Sequence, residues 1–317
     1  MLLETIKNFA KTIGPRATKI ISILDKDGET MDKTLPQPFA GEMRGISNTT
    51  GLHLGEIVLY NIFYEVFSVC TSIIAEDPSG KLFHARNLDF GLLLGWDLKN
   101  DTWAVTEVLR PLVVNIDYQK QEKTVFRAVH FAGYIGILTG IKPGIFTLTM
   151  NERFGLDGGY IVEKPVPLHL ICFTFLGILE WLLGKRTGQW MGFLTRNTLE
   201  NAISYEEAKD MLSKTEMLAP AYYILGGNSS GQGCVITRSR EKADDVWEMK
   251  NANGWYILET NYDHWTAPLV IDDRRTPAHM CMKNLTQQLT TYTALMQVDK
   301  GHLETWIQYC PDPCWPW

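Results

Sequence analysis

The sequence has no run of Lys or Arg and no zinc-knuckle spacing, and its 30 basic residues against 36 acidic ones leave a formal charge of −6 with the histidines neutral. That removes the electrostatic footprint that a nucleic-acid partner requires. Cysteine is scarce. The six, Cys70, Cys172, Cys234, Cys281, Cys310 and Cys314, include no CxxC pair, so no disulfide framework organises the chain. No metal-ligand cluster and no nucleotide-binding loop is present, and no cofactor is expected. Long apolar runs are missing as well. Pro165 to Leu179 lacks Asp, Glu, Lys and Arg, but even Leu168 to Leu183 would span only about 24 Å as a helix, against about 30 Å for a bilayer core. Glu180 falls inside that longer count, which favours a buried or surface-lipid helix. No secretory leader is visible, since Met1-Leu2-Leu3 runs straight into Glu4 and Lys7; a shortened start and a cytosolic protein are the two readings of that.

What is present belongs to a globular protein. Apolar types make up 45% and charged types 21%, with 10 Trp, 12 Tyr and 13 Phe among 317 residues, which excludes a disordered, collagenous or coiled-coil chain. A chain of this length buries roughly 75% of its extended surface, enough for one large domain or two small ones. Cys310-Pro311-Asp312-Pro313-Cys314 sets two thiols in a proline-bounded bend, open to a small disulfide in an oxidising compartment or to a reduced pair. Sequons begin at Asn48, Asn100, Asn228 and Asn284 and favour a luminal or secreted protein. In an acidic lumen, charging all seven histidines would move the formal sum from −6 to +1 and draw the protein to anionic lipid.

Residues 1–69 read as mostly helical, with an apolar-rich segment from Gly55 to Phe67 that can be deeply buried. At Cys70 the character changes. Cys70 to Ala75 reads as a strand, Asp77-Pro78-Ser79-Gly80 as a turn, and Lys81 to Arg86 as a returning strand. Further strands are expected at 103–109, 123–130, 133–139, 145–150, 222–226, 233–238, 244–249 and 255–260, with Gly140 to Gly144 as a loop. Ser204-Tyr205-Glu206-Glu207 is a capping box opening a helix that runs to about Lys214. A helical start, then sheet, helices and sheet again, predicts an α+β or layered αββα domain rather than βαβ repetition.

Cys70 is the first candidate for chemistry. Any single thiol reads first as a packed core residue, but Arg86-Asn87-Leu88-Asp89-Phe90-Gly91 lies just beyond the next strand. A hairpin turning at Pro78-Ser79 would return Arg86 and Asp89 to the end of the sheet that holds Cys70, where such a pair can stabilise a thiolate or position an amine. No histidine has a general-base role; His84 reads as a strand-face residue. If the chain is cut before Cys70, the freed α-amine can serve as the base, since it titrates near 8.

Cys70 to Asp77, His84 to Gly91 and Asn151-Glu152-Arg153-Phe154 closely resemble the acid ceramidase family and the wider N-terminal-nucleophile cysteine amidases, which include the N-acylethanolamine acid amidases. Asn261-Tyr262-Asp263, Asp272 to Pro277 and the Cys310 to Cys314 tail extend the resemblance over nearly the whole chain from about residue 40. It implies a four-layer αββα N-terminal-nucleophile hydrolase fold. It also implies a precursor that cleaves itself between Val69 and Cys70 into a short α part, 1–69, and a catalytic β part, 70–317. The implied reaction is lysosomal hydrolysis of the ceramide amide to sphingosine and fatty acid, without cofactor or metal.

The same resemblance assigns Cys70, Arg86, Asp89, Glu152, Asn261 and Arg274 to the site. Cys70 is the nucleophile, and Asp89 orients its amine. Asn261 donates to the oxyanion, Arg86 and Arg274 hold carboxylates and polar groups, and Glu152 is a partner or an aid to maturation. Implied partners are ceramide and related N-acyl lipids, an anionic membrane surface, a lipid-presenting activator protein and the two pieces of the precursor, with no nucleic acid. Phe63, Tyr64, Phe67, Phe90, Leu92, Leu93, Leu94, Trp96 and Phe154 are candidates for an apolar path to Cys70, against ordinary core packing. Relative to the family, the front is short, Cys281 lacks its expected partner, residues 161–176 read as an apolar insert and Asn284 to Thr291 reads as shortened. An N-acylethanolamine amidase and an inactive lipid-binding form are the alternatives.

Overall fold

The computed structural model describes residues 35–64, 69–89, 96–97, 102–153, 187–251, 254–268, 273–280 and 290–309. The 161–176 insert, the Cys310–Cys314 tail, Cys281, Asn100, Asn284 and the side chains proposed for an apolar path lie outside the described residues. Asn48 and Asn228 are exposed.

Two antiparallel sheets form the centre. The five-stranded sheet runs β12-β1-β2-β13-β14, from β1 (Val69–Glu76), β2 (Leu82–Asp89), β12 (Tyr256–Glu259), β13 (Thr290–Gln297) and β14 (His302–Ile307). The seven-stranded sheet runs β11-β10-β9-β8-β7-β6-β5, from β5 (Val113–Lys120), β6 (Lys123–Phe131), β7 (Thr139–Lys142), β8 (Phe146–Glu152), β9 (Ala221–Gly226), β10 (Gly233–Arg238) and β11 (Ala243–Glu248). A short pair, β3 (Trp96–Asp97) and β4 (Thr102–Trp103), stands apart. The helices are α1 (Phe39–Thr50), α2 (Leu54–Tyr64), α3 (Ala104–Leu109), α4 (Met191–Asn201), α5 (Tyr205–Lys214) and α6 (Arg275–Met280).

Strand alternation sorts the layers. Along β8, Phe146, Leu148 and Met150 join the main core with Leu194 and Leu199 of α4. The intervening Thr147, Thr149 and Asn151 bond His84 and Ser72 of the facing sheet. Tyr223 of β9 donates through Oη to the Met191 carbonyl of α4 at 3.1 Å, while its neighbours Tyr222 and Ile224 pack with Ile74, Val235 and Ile257 between the sheets. On the far side, Ile73 and Leu258 pack on Ala278 of α6. The order is therefore helix, sheet, sheet, helix, the layered α+β architecture expected from the sequence. The α4 layer sits close: a Cβ on Gly140 would lie 2.5 Å from Leu199 Cδ1.

Local signals set several elements. Asp77 Oδ1 accepts from Ser79 N–H, Ser79 Oγ and Lys81 N–H at 2.8, 2.6 and 3.0 Å, and Gly80 takes φ +82°, which closes the β1–β2 hairpin. Ser204 Oγ accepts from Glu207 N–H at 3.1 Å to cap α5. Two expectations are corrected. Residues 104–109 form a helix, α3, not a strand, and Val105, Thr106 and Leu109 share its buried side. The strand expected at 133–139 begins at Thr139, and 140–142 is strand rather than loop. Gly133 at φ +87° breaks the extended backbone, and Ile135, Ile137 and Leu138 are buried from a loop, so apolar content there does not mean strand.

Glu259 closes β12 with no solvent exposure. Its Oε1 accepts from Thr260 N–H at 2.8 Å, and its Oε2 has no hydrogen-bond partner among the described residues. Burial pushes its carboxyl up to about 8; Arg275 and Arg153 oppose the shift and Asp263 adds to it. A carboxyl raised in the folded state binds its proton there but not in the unfolded chain. Stability therefore falls as pH rises through the window from about 4.5 to about 8, by an amount on the order of a few kcal/mol. Glu259→Gln, which mimics the protonated form, is expected to flatten melting temperature against pH in that window and to be more stable than wild type at its alkaline end. Equal slopes for the two proteins would remove Glu259 as the cause.

Candidate active site

The β1–β2 register builds the first part of the site. Ser72 pairs with Arg86, Cys70 with Leu88 and Val69 with Asp89. Arg86 thus sits one inward-facing position along from Cys70. Arg86 is 1% exposed and its guanidinium is spent on uncharged groups and the thiol. Nη2 donates to Cys70 Sγ at 2.7 Å and to the Met150 carbonyl at 2.8 Å. Nη1 donates to Thr139 Oγ1 at 2.7 Å and to the Leu138 carbonyl. These groups hold the charge beside the sulfur, and among the described residues no carboxylate pairs with it, so a thiolate would be its counter-ion.

Cys70 is fully buried, and burial is the largest influence on its thiol, pushing it up. Arg86 and Arg274 pull it down, and Asp89 adds to the rise. The net rise keeps the proton on sulfur in the uncut chain. His84 does not compete for that proton: its ring bonds Thr147 and Thr149 hydroxyls at 2.9 and 3.1 Å, and burial, with Arg86 nearby, drops it to about 3.

The second part comes from the last residue of β8, from Asn261 just beyond β12 and from Arg274 just before α6. Asn261 Oδ1 accepts from the Cys70 N–H at 2.9 Å and from Arg274 Nη2 at 2.7 Å, while its Nδ2 donates to the Glu152 carbonyl at 2.6 Å. The expected oxyanion donor therefore turns its oxygen, not its N–H, toward the nucleophile. Three bonds fix the amide that way round, because Arg274 and the Cys70 N–H are both donors. Arg274 Nη1 donates to the Cys70 carbonyl at 2.6 Å and lies 3.8 Å from Asp89 Oδ2. Asp89 Oδ1 accepts from Thr290 Oγ1 at 2.6 Å. Glu152, 1% exposed, meets Asn261 through its backbone.

All six residues singled out in the sequence are thus buried around one peptide unit, and Cys70, Arg86, Asp89, Asn261 and Arg274 are joined by direct contacts. Sequence reasoning does not single out Thr139, Thr290 or Tyr292. Tyr292 Oη shares a 2.8 Å hydrogen bond with Thr139 Oγ1, and burial pushes it up to about 12, so it stays protonated beside Arg86. It comes from β13, and no local motif marks it. Among the described residues no cluster of His, Cys, Asp and Glu is arranged to hold a metal ion.

Comparison with known proteins fits this geometry. The family model for linear amide C–N hydrolases, choloylglycine hydrolase family, matches residues 70–286, beginning at Cys70. Acid ceramidases of Homo sapiens and Pan troglodytes are each 49% identical over 337 aligned positions, spanning 100% of this chain and 81% of theirs. Among solved structures, a Caenorhabditis elegans N-acylethanolamine-hydrolyzing acid amidase ortholog has a TM-score of 0.58 at 26% identity, over 76% of this chain and 100% of that one.

Replacing Arg86 by Gln removes the charge that pulls the thiol down. In a difference measurement against Cys70→Ser, the ultraviolet absorbance of the Cys70 thiolate is expected to appear at higher pH than in the parent chain. The melting temperature should fall too, since stranding the Leu138 and Met150 carbonyls costs about 1–3 kcal/mol each. An unchanged or acid-shifted absorbance would count against Arg86 as the counter-ion.

Proposed function

The chain belongs to the linear amide C–N hydrolases of the choloylglycine hydrolase family, and from that premise we propose that it is a self-maturing amidase that hydrolyses N-acylsphingosines to sphingosine and fatty acid. The observation that carries the reading is the pairing of 49% identity to acid ceramidases over the whole chain with a thiol held 2.7 Å from Arg86 on a residue whose own N–H is held by Asn261.

Maturation comes first. The Cys70 S–H adds to the Val69 carbonyl, the Val69–Cys70 C–N bond breaks, and the nitrogen takes a proton, leaving Val69 as a thioester on Cys70. Water hydrolyses the thioester, releasing the Val69 carboxylate and restoring the thiol. The Cys70 nitrogen is now an amine, which can take the thiol proton where an amide could not. Its hydrogen bond to Asn261 holds it beside its own sulfur, and Arg274 fixes the adjacent carbonyl, so maturation needs no rearrangement of the nucleophile's frame.

Turnover repeats the chemistry on substrate. Sulfur attacks the amide carbon of the lipid, the α-amine holds the thiol proton and passes it to the leaving sphingosine nitrogen, and water resolves the thioester to free fatty acid. Asp89, held by Thr290 and facing Arg274, balances the arginine charge around that amine. A groove of about 830 Å³ runs between α1, α2 and the 132–135 loop, lined by Ile46, Leu52, Ile57, Tyr60, Leu112 and Ile135 among others. Its lining includes none of the six site residues; the acyl chain is assigned to it, where burial would contribute about 0.8 kcal/mol per CH₂. No described helix is long and apolar enough to cross a membrane. A lysosomal location, work at an anionic lipid surface and a lipid-presenting activator protein are parts of the same proposal, as is the division into pieces 1–69 and 70–317 with a 161–176 insert. The likeness to the nematode acid amidase favours an N-acylethanolamine as the second reading of the substrate.

Mass analysis of the purified protein is expected to give two pieces, the larger beginning at Cys70. Cys70→Ala should stay whole at 36.0 kDa and hydrolyse nothing. Given an N-acylsphingosine and an N-acylethanolamine of the same acyl length at acid pH, the cleaved enzyme should favour the sphingolipid. Preference for the ethanolamide would select the second reading, and turnover by Cys70→Ala would end both.

A further inference from the structure

Glu152 ends β8 of the seven-stranded sheet, and Asn261 lies just beyond the end of β12 in the five-stranded sheet. Neither ladder continues into Arg153 or Thr260, and the two strands belong to different sheets, so strand pairing does not fix the separation of these two backbones. Among the described residues, Asn151 Nδ2 already ties the two strand ends by donating to the Glu259 and Thr260 carbonyls at 3.2 and 2.8 Å, and two further contacts bridge them. One is the Asn261 Nδ2 bond to the Glu152 carbonyl. The other lies next to it in both segments: Arg153 Nε and Nη2 donate to Asp263 Oδ1 and Oδ2, each at 2.8 Å.

This second bridge is heavily built. Asp263 is fully buried and Arg153 is 6% exposed. Tyr222 Oη donates a third bond to Asp263 Oδ1 at 2.6 Å, and the Arg153 guanidinium carbon lies 5.9 Å from the Tyr222 ring centroid. Arg153 Nη1 reaches on to Asp244 Oδ2 of β11 at 2.6 Å. From the other side Arg275 donates to the backbone carbonyls of Tyr262, Asp263 and Thr266. A planar fork on a carboxylate fixes distance and angle together, which a single hydrogen bond does not.

We infer that the Arg153–Asp263 fork, closed by Tyr222, is a positioning element that sets Asn261 against the Cys70 nitrogen and so governs both self-cleavage and turnover. It touches neither sulfur nor the scissile bond. It acts by holding the segment two residues from Asn261 at a fixed distance from the segment one residue from Glu152. The fork belongs to the reaction proposed above and rests on that reading.

The test uses the full chain and three substitutions of graded severity, Asp263→Asn, Arg153→Lys and Tyr222→Phe. Self-cleavage rate is followed by mass, and kcat and KM are measured on an N-acylsphingosine. Leu212→Ala in α5, fully buried in the main core and not a residue of the site or the fork, serves as a control of comparable melting temperature. Asp263→Asn should slow self-cleavage and lower kcat at least tenfold, with KM changed less than twofold. Arg153→Lys, which keeps the charge but loses the fork, should fall in between, and Tyr222→Phe should show the smallest loss. If Asp263→Asn does not fold, Arg153→Lys and Tyr222→Phe carry the same ordering. The inference is overturned if these variants cleave and turn over like wild type, or if Leu212→Ala loses as much activity at an equal melting temperature. A wild-type chain that neither cleaves nor hydrolyses overturns the parent reading, a result told apart by the wild type alone.

Discussion

One carboxamide joins the two halves of this fold at the reactive residue. Asn261 receives the Cys70 N–H and an Arg274 N–H on its oxygen and gives its own N–H to the Glu152 carbonyl. Cys70 belongs to one sheet and Glu152 to the other, so at the nucleophile's nitrogen the sheets are tied by a group with a single satisfiable orientation, beside the contacts that His84, Ser72 and Arg86 make across the same interface. The ionisable residues around it, Arg86, Asp89, Glu152 and Arg274, are all buried, and burying such groups is costly unless they are hydrogen-bonded or paired.

The site's electrostatics are asymmetric. Arg86 faces carbonyls, a hydroxyl and a thiol, while Arg274 faces a carboxylate, an amide oxygen and the nucleophile's own carbonyl. The first cation is left able to stabilise charge that develops at sulfur; the second is already committed to holding the backbone. Burial meanwhile keeps the thiol protonated and His84 neutral. Under the maturation proposed above, the uncut chain holds its reactive residue in a quiet state, with the stabilising cation in place and the base supplied by cutting the chain.

Much of this is legible in the sequence wherever the signal is local. The Asp77–Gly80 turn, the Ser204 cap and the Cys70 and Arg86 strands follow from turn chemistry, capping and period. Residues 104–109 and 133–139 mislead because short apolar runs suit a buried helix or loop as well as a strand. The strands β5, β13 and β14 carry no such mark, and β13 takes its place beside β2 only through pairing across some 200 residues of chain. Hairpin spacing brings Arg86 and Asp89 to Cys70, and resemblance to a family adds Glu152, Asn261 and Arg274. The orientation of Asn261 and the fork between Arg153 and Asp263 depend on partners about 110 residues apart, which no local pattern records.

The hairpin that carries Cys70 and Arg86 closes at the opposite end from both of them, on an exposed turn held by Asp77 and Gly80. Strand side chains alternate with a period of two, so a one-residue slip of β2 against β1 would carry the guanidinium to the outer face and leave the sulfur without it. β2 is held against that slip from its other edge, where β13 pairs with it from Asp89 to His84, while the turn itself can absorb an added residue. Register rather than loop length is therefore what keeps cation and thiol on one face.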